Sequence, residues 1–275
     1  MKFLSEIIKL NNPITTYIEP FAGGAGAALG LLFNNYVEKI ILNDADELIY
    51  KFWCTVLNKS DKLIKKIKKK EVNYKEWQYQ RKLLNDHSHR VKVSDLDIAF
   101  ATFYINRCNR SGILRSEVGP IGGHGQKSKW KIDARYNKVG LIQRINRVSS
   151  YRESIEFYNL DAIDFLEKII LSQTIDREKT LVYLDPPYYN RGPELYRTFY
   201  SDEDHIRLQY FLKNKLDIRW ILSYDDVPFI HDLYNGSNKN GLLMNHFANK
   251  AKVGKELIIS SDNCILPNEQ TIVNL

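Results

Sequence analysis

Asp185-Pro186-Pro187-Tyr188 sets a carboxylate, two rigid imino acids and an aromatic ring side by side. Each proline fixes φ and lacks an N–H, so the carbonyls of Asp185 and Pro186 are left as acceptors with little freedom to turn away. A carboxylate and a held carbonyl suit a group with two hydrogens to donate, such as an aromatic amine. The face of Tyr188 suits the plane such an amine belongs to. A nucleobase meets that description, and a Pro-Pro turn carrying a solvated Asp is the plain structural alternative. A second constellation lies near the start of the chain, where Phe21-Ala22-Gly23-Gly24-Ala25-Gly26 precedes Asp44. Glycines let the backbone approach a ligand closely, and an acid at the end of the next strand accepts hydrogen bonds from ribose hydroxyls. The pattern serves a dinucleotide or S-adenosylmethionine equally well, and a tight turn without a ligand would also use it. No Gly-Lys-Ser/Thr follows the loop, which argues against an NTPase.

These residues need a sheet to hold them. Leu181-Val182-Tyr183-Leu184 reads as a buried strand and places Asp185 at its carboxyl end, the edge where open α/β sheets bind ligands. Thr16-Tyr17-Ile18-Glu19-Pro20 is a strand feeding the glycine loop, Ala27 to Phe33 is the helix after it, and Ile40-Ile41-Leu42 is a strand ending at Asn43-Asp44. Ahead of them, Phe3 to Leu10 has the spacing of a short amphipathic helix that stops before Asn11-Asn12-Pro13. Leu48 to Leu84 is helical throughout, Asp95 to Arg107 is a further helix, and Val139 to Val148 is a helix returning to the sheet. The stretch between the last two is glycine-rich loop, long for a compact domain, and long ordered loops are usually functional. Ile155 to Asp161 resembles a strand ending in an acid, with a helix from Ala162 to Ile170; Asp161 caps that helix or faces a cofactor's adenine, and capping is the preferred reading. Asp204 to Lys215 is helical, and Arg219 to Tyr224 and Lys255 to Ser260 are strands. Strands alternating with helices on both sides of the middle segment predict an α/β fold, one doubly wound Rossmann-like sheet interrupted by a mainly helical insert. The expected division is 1–49 with 151–275 for the sheet domain and 50–150 for the insert.

The chain has 275 residues, 44% of them apolar, enough for a sizeable core. It has no apolar run of membrane-spanning length and no secretory leader, so a soluble cytoplasmic protein is expected. Cys54, Cys108 and Cys264 are few and widely spaced, which favours reduced structural thiols over disulfides or a metal site. Charge is partitioned: residues 51–150 hold 23 Lys or Arg against 8 Asp or Glu, a net of +15, while the rest of the chain nets −8. A basic middle between acidic ends points to a phosphate-facing insert, although Lys62 to Lys70 also reads as a solvated helix surface.

Together, Glu19-Pro20-Phe21-Ala22-Gly23-Gly24-Ala25-Gly26, Asp44 and Asp185-Pro186-Pro187-Tyr188 resemble the Dam-like (D12 class) adenine-N6 DNA methyltransferases, and the likeness in the order of parts covers most of the chain. The resemblance implies a Rossmann-like methyltransferase sheet with a target-recognition insert, and methyl transfer from S-adenosylmethionine to the N6 amine of an adenine flipped out of duplex DNA. It implies catalytic roles for Asp185, Pro186 and Tyr188, and a cofactor site built from Glu19, Phe21, Gly23, Gly24, Gly26, Asp44 and Asp161. The DNA contacts it implies lie among Arg107, Asn109, Arg110, Arg115, Lys127, Lys129 and Arg135. A monomer with a restriction endonuclease encoded nearby, and no metal, are also expected. One departure stands out. Family members begin with a Gly-Gly-Lys segment that helps enclose the methionine end of the cofactor, whereas Met1 here already lies at the first helix. That departure keeps a second expectation in view, a catalytically inactive DNA-binding relative; a third, with the same chemistry and another partner, is an RNA adenine methyltransferase.

Overall fold

A computed structural model describes residues 2–89, 91–171, 175–190, 200–246 and 252–267. They fall into two compact units, one formed by the chain up to Ala45 and from Ser154 onward, the other by Asp46–Glu153. The first unit contains α1 (Lys2–Leu10), β1 (Thr16–Glu19), α2 (Gly26–Phe33), β2 (Lys39–Asn43), β3 (Ile155–Tyr158), α8 (Ala162–Leu171), β4 (Thr180–Leu184), α9 (Asp202–Asn214), β5 (Arg219–Asp225), α10 (Pro228–Leu233), β6 (Asn238–His246) and β7 (Lys252–Ser260). The second contains α3 (Glu47–Asn58), α4 (Ser60–Lys69), α5 (Tyr74–Ser88), α6 (Asp95–Cys108) and α7 (Lys138–Ser150).

The strands form a seven-stranded sheet in the order β3-β2-β1-β4-β5-β7-β6. The first five are parallel, and β7 is inserted antiparallel between β5 and β6. Ile18, Ile41, Val182, Leu184 and Leu222 share a core with Phe165, Leu166 and Ile169 of α8 and Leu208, Phe211 and Leu212 of α9. Side chains alternate across a strand, so Tyr17, Ile40, Leu42 and Leu181 occupy the other face, and they too are buried. A sheet covered on both faces is why these strands read as unbroken apolar runs. The chain works outward from β1 through β2 to β3, then returns to place β4 on the other side of β1. That reversal makes the carboxyl ends of β1 and β4 the topological switch point, where ligands of doubly wound sheets bind. The helix α10 and the strand β6 were not expected from the sequence. β6 opens with Asn238-Lys239-Asn240-Gly241, poor strand formers on the sheet's outermost strand, so its pattern carries little signal.

In the second unit α6 is buried nearly all round, with Ile98, Ala99, Phe100, Ala101, Phe103, Tyr104 and Ile105 inaccessible, as expected of a helix apolar on every face. It packs against α3, α4 and α5. The single helical stretch expected from Leu48 to Leu84 is three helices: Lys59 leaves helical geometry between α3 and α4, and the Asn73 side chain caps α5 by accepting from Glu76 N–H. The helix expected to return to the sheet, α7, instead packs on α3 and α4 in its own unit through Leu141, Ile145 and Val148. The boundary between the units falls at Ala45/Asp46 because Asp46 caps α3, accepting from Leu48 N–H, so the whole helix belongs to the helical unit. Among the described residues, no helix is long and apolar enough to cross a membrane.

Candidate active site

Three adjacent strands at the centre of the sheet, β1, β4 and β5, end in acids on one edge. Glu19 closes β1, Asp185 follows β4, and Asp225 closes β5. The antiparallel β7 adds a fourth, because Glu256 lies in register with Asp225.

Around β1 the acid and the glycine loop are joined. Glu19 is buried, accepts a hydrogen bond from the Ala28 N–H in the first turn of α2, and has a second carboxylate oxygen, Oε2, with no partner among the described residues. Burial, followed by the charge of Asp185, pushes its pKa well above the ordinary carboxylate range. The loop turns sharply, with Gly23 in the left-handed region at φ 46°, where a side chain is disfavoured. Gly23 N–H donates to Asp44 Oδ2 at 2.8 Å, so the acid expected on a ribose also fixes the loop. Asn43 stitches three strand ends together: Nδ2 donates to the carbonyls of Pro20 and Leu160, each at 3.0 Å, and Oδ1 accepts from Leu160 N–H at 2.9 Å. Asp161 caps α8, accepting from Ile163 N–H at 3.0 Å, which is the preferred of its two expected roles. Phe21 packs its ring edge-on to Tyr200, with centroids 5.8 Å apart.

The Asp185 side accounts for the rest. Asp185 Oδ1 accepts from Ser223 Oγ at 3.1 Å. With that hydroxyl's hydrogen given to the carboxylate, the Tyr183 hydroxyl, 3.0 Å away, donates to Ser223 in turn. Tyr188 donates its hydroxyl to Glu256 Oε1 at 2.8 Å. Asp225 holds the following turn with both carboxylate oxygens, accepting from Tyr189 N–H and Asn190 N–H, each at 3.0 Å. Pro186 and Pro187 are buried. Burial raises the Asp185 pKa to about 6; the Ser223 hydrogen bond works against the rise, and the like charge of Glu256 adds to it. A carboxylate so placed is ionised at neutral pH, yet basic enough to take a proton in a reaction. Two carboxylates and an aromatic face converging at a switch point suit an uncharged, planar amine.

The residues present fit S-adenosylmethionine. That molecule carries a positive sulfonium and an ammonium group, and Glu19 Oε2 is a buried acceptor with no partner among the described residues. A Cβ built on Gly23, Gly24 or Gly26 meets nothing within 4 Å, so the loop borders open space into which a ligand can come close to the backbone.

Sequence reasoning did not single out Ser223, Asp225 or Glu256. For Asp225 the signal existed: an acid immediately after an apolar strand, as with Asp185. For Glu256 there was none, since it directly follows Lys255 and precedes the apolar run Leu257-Ile258-Ile259 as any strand-edge charge does.

The expected DNA-contact residues all lie in the helical unit. Arg110, Lys127, Lys129 and Arg135 are exposed on the segment between α6 and α7, and Arg115 pairs with Glu117 at 3.3 Å. Arg107 is half-buried, and burial together with Arg135 and Arg144 lowers its pKa. Asn109 corrects the expectation. It is buried, its Oδ1 accepts from Trp77 Nε1 and its Nδ2 donates to the Ile113 carbonyl, both at 2.8 Å, so its amide anchors the loop and is not presented to a base. Gln126 organises the same segment by donating to the carbonyls of Ile121 and Gly123, each at 2.7 Å. A cleft of about 700 Å³ beside α5 is lined by Tyr74, Arg81, Lys82, Arg115 and His124 among others, with no carboxylate in its wall among the described residues. Arg81 and Lys82 were not expected, because their helix reads as an ordinary solvated surface.

Residues 1–248 match the model of the D12 class N6 adenine-specific DNA methyltransferases. The type II methyltransferase M.MjaIII of Methanocaldococcus jannaschii is 28% identical over 252 residues, covering 82% of this chain and 79% of its own. The type II methyltransferase M.CviBI of Paramecium bursaria Chlorella virus NC1A is 24% identical over 226 residues, covering 81% and 77%. Among solved structures, the rRNA methyltransferase aviRa of Streptomyces viridochromogenes aligns over 94% of this chain and 82% of its own at 13% identity, with a TM-score of 0.37. With the family model spanning the glycine loop, the insert and the Asp-Pro-Pro-Tyr motif in one match, the chain belongs to the D12 class N6 adenine-specific DNA methyltransferase family.

Proposed function

We propose that the pocket formed by Asp185, Pro186 and Tyr188 receives the adenine and that Asp185 takes the proton its N6 amine gives up. The observation that carries this reading is the partly buried Asp185 carboxylate, set beside Tyr188 at the switch point, with its pKa raised to about 6. A duplex hides the amine, so the base must leave the stack, at a cost of a few kcal/mol. Stacking on Tyr188 offsets about 1–3 kcal/mol of that. Adenine's amine is a poor nucleophile because its lone pair is delocalised into the ring. Hydrogen bonds to Asp185 and to the Pro186 carbonyl draw that pair back onto nitrogen. S-adenosylmethionine, when bound, supplies an electrophilic methyl group. As the N–C bond forms, the nitrogen becomes acidic and one of its protons passes to the Asp185 carboxylate. Ser223 and Tyr183 hold that carboxylate in place throughout.

Glu19, Phe21, Gly23, Gly24, Gly26, Asp44 and Asp161 are the residues we assign to the cofactor. The unpartnered Glu19 oxygen supports this for a cationic group, and the open glycine loop supports it for the backbone approach. For the duplex we assign the exposed Arg110, Lys127, Lys129 and Arg135, with Arg107 and Arg115, and add Arg81 and Lys82 from the carboxylate-free cleft. One copy of the chain carries every group named, which fits action as a monomer. A DNA substrate fits the cytoplasm as its place of work. The relatives' type II designation is consistent with a companion endonuclease.

The test is Asp185→Ala. Methyl transfer to duplex DNA should fall at least a thousandfold while the dissociation constant for DNA stays within about threefold. Labelled methyl incorporation near the parental rate would remove Asp185 from the mechanism.

A further inference from the structure

We propose that Glu256, on the inserted strand β7, is the positioning residue of the aromatic platform: its carboxylate holds the Tyr188 hydroxyl, and through it the plane against which the target base stacks. The inference rests on the assignment of Tyr188 to the base. It starts from the topology. β7 runs antiparallel to β5, so its early residues reach the same edge as the carboxyl ends of the parallel strands, and the register puts Glu256 opposite Asp225. Asp225 clamps the backbone just after Tyr188, through Tyr189 N–H and Asn190 N–H. Glu256 clamps the tip of the ring, accepting from the hydroxyl at 2.8 Å. With two buried prolines ahead of the ring, its backbone and its far end are both fixed.

A merely structural partner for a buried tyrosine hydroxyl need not be charged, since a backbone carbonyl or an amide oxygen accepts equally well. Glu256 is 3% exposed, and its charge acts on Asp185, a second, partly buried carboxylate. Two like charges in one pocket cost stability and are a mark of functional sites. The groups facing Asp185 are Glu19 and Tyr17 from β1, Tyr183 from β4, Ser223 from β5 and Glu256 from β7, with Tyr188 beside it. Among them only Glu256 both touches the platform and adds to the basicity of the proton acceptor. It thereby links the fit of the base to the readiness of Asp185.

Steady-state methylation of duplex DNA by Glu256→Ala, Glu256→Gln, Tyr188→Phe and the Glu256→Ala/Tyr188→Phe pair tests this, with Asp185→Ala run alongside. The expected result is a tenfold to hundredfold loss of kcat in Glu256→Ala, with KM for DNA within about twofold. The pair should be no worse than Tyr188→Phe alone, because that change already removes the hydroxyl's bond to Glu256 together with its bond to Asp185. Glu256→Gln, whose amide oxygen still accepts, should recover kcat to within a few-fold. Its acid limb should shift to lower pH, because the like charge beside Asp185 is gone. Parental kcat in Glu256→Ala, multiplicative losses in the pair, or Glu256→Gln as impaired as Glu256→Ala would overturn the assignment of Glu256. If Asp185→Ala stays active, the reading of the pocket itself fails, and that outcome is distinct from the others.

Discussion

At the scale of single residues, the chemistry of the site is a matter of which carboxylate is ionised. Asp185 has its pKa raised from 3.8 to about 6, so the folded protein holds a proton there that the unfolded chain has already released. The penalty of charging this partly buried group is therefore present above about pH 6 and vanishes as pH falls below the unfolded value. Asp185→Asn, which has nothing to ionise, should be more stable than the parent by about 2–3 kcal/mol at pH 8. That margin should shrink between pH 6 and pH 4, as read from urea unfolding at each pH. For the same reason kcat should fall as pH drops through about 6 with the parental protein. Both the Asp-Pro-Pro-Tyr motif and the glycine loop were legible in the sequence because their residue types are unusual at those spacings. Asn109 was misread for the opposite reason. Its type suits base recognition, and only burial against Trp77 and Ile113 reveals that both ends of its amide are already used. Glu256 depends on a long-range register, and a local pattern carries no trace of one.

At the scale of elements, the turn between β1 and α2 separates folding from binding. Gly23 sits at φ 46°, so Gly23→Ala places a side chain in the left-handed region and should cost about 1–2 kcal/mol of stability. Gly24 has no such constraint, and a Cβ there meets nothing within 4 Å. Gly24→Val should leave the urea midpoint near that of the parent and yet weaken S-adenosylmethionine binding at least tenfold by calorimetry. Equal affinity in Gly24→Val would show that the loop does not face the cofactor. The parallel strands were legible because burial on both faces makes them continuous apolar runs. β6 was not, since Asn238-Lys239-Asn240-Gly241 has neither alternation nor strand formers, and it owes its place to pairing with β7. The three helices from Glu47 to Ser88 blurred into one because the breaks at Lys59 and before Asn73 carry neither proline nor glycine.

For the molecule as a whole, charge follows the division of labour. The net of +15 over residues 51–150, against −8 elsewhere, puts nearly all phosphate attraction in the helical unit. Replacing the exposed Arg110, Lys127, Lys129 and Arg135 by Ala should lower the salt dependence of DNA binding by a slope of up to about 3.6, at roughly 0.9 for each phosphate no longer neutralised, with little effect on kcat at saturating DNA. An unchanged slope would place the duplex on another surface. The family and its α/β sheet were legible from motifs and strand pattern, whereas the course of the helices between β2 and β3 required the structure. On the proposed reading, Asp185 is where adenine gives up its proton as it gains a methyl group. The most direct test is to digest methylated duplex DNA and identify the product nucleoside by mass spectrometry, for the parent and for Asp185→Ala. The expected result is N6-methyladenine from the parent and none above background from the variant. Methylcytosine from the parent, or N6-methyladenine at the parental rate from Asp185→Ala, would contradict it.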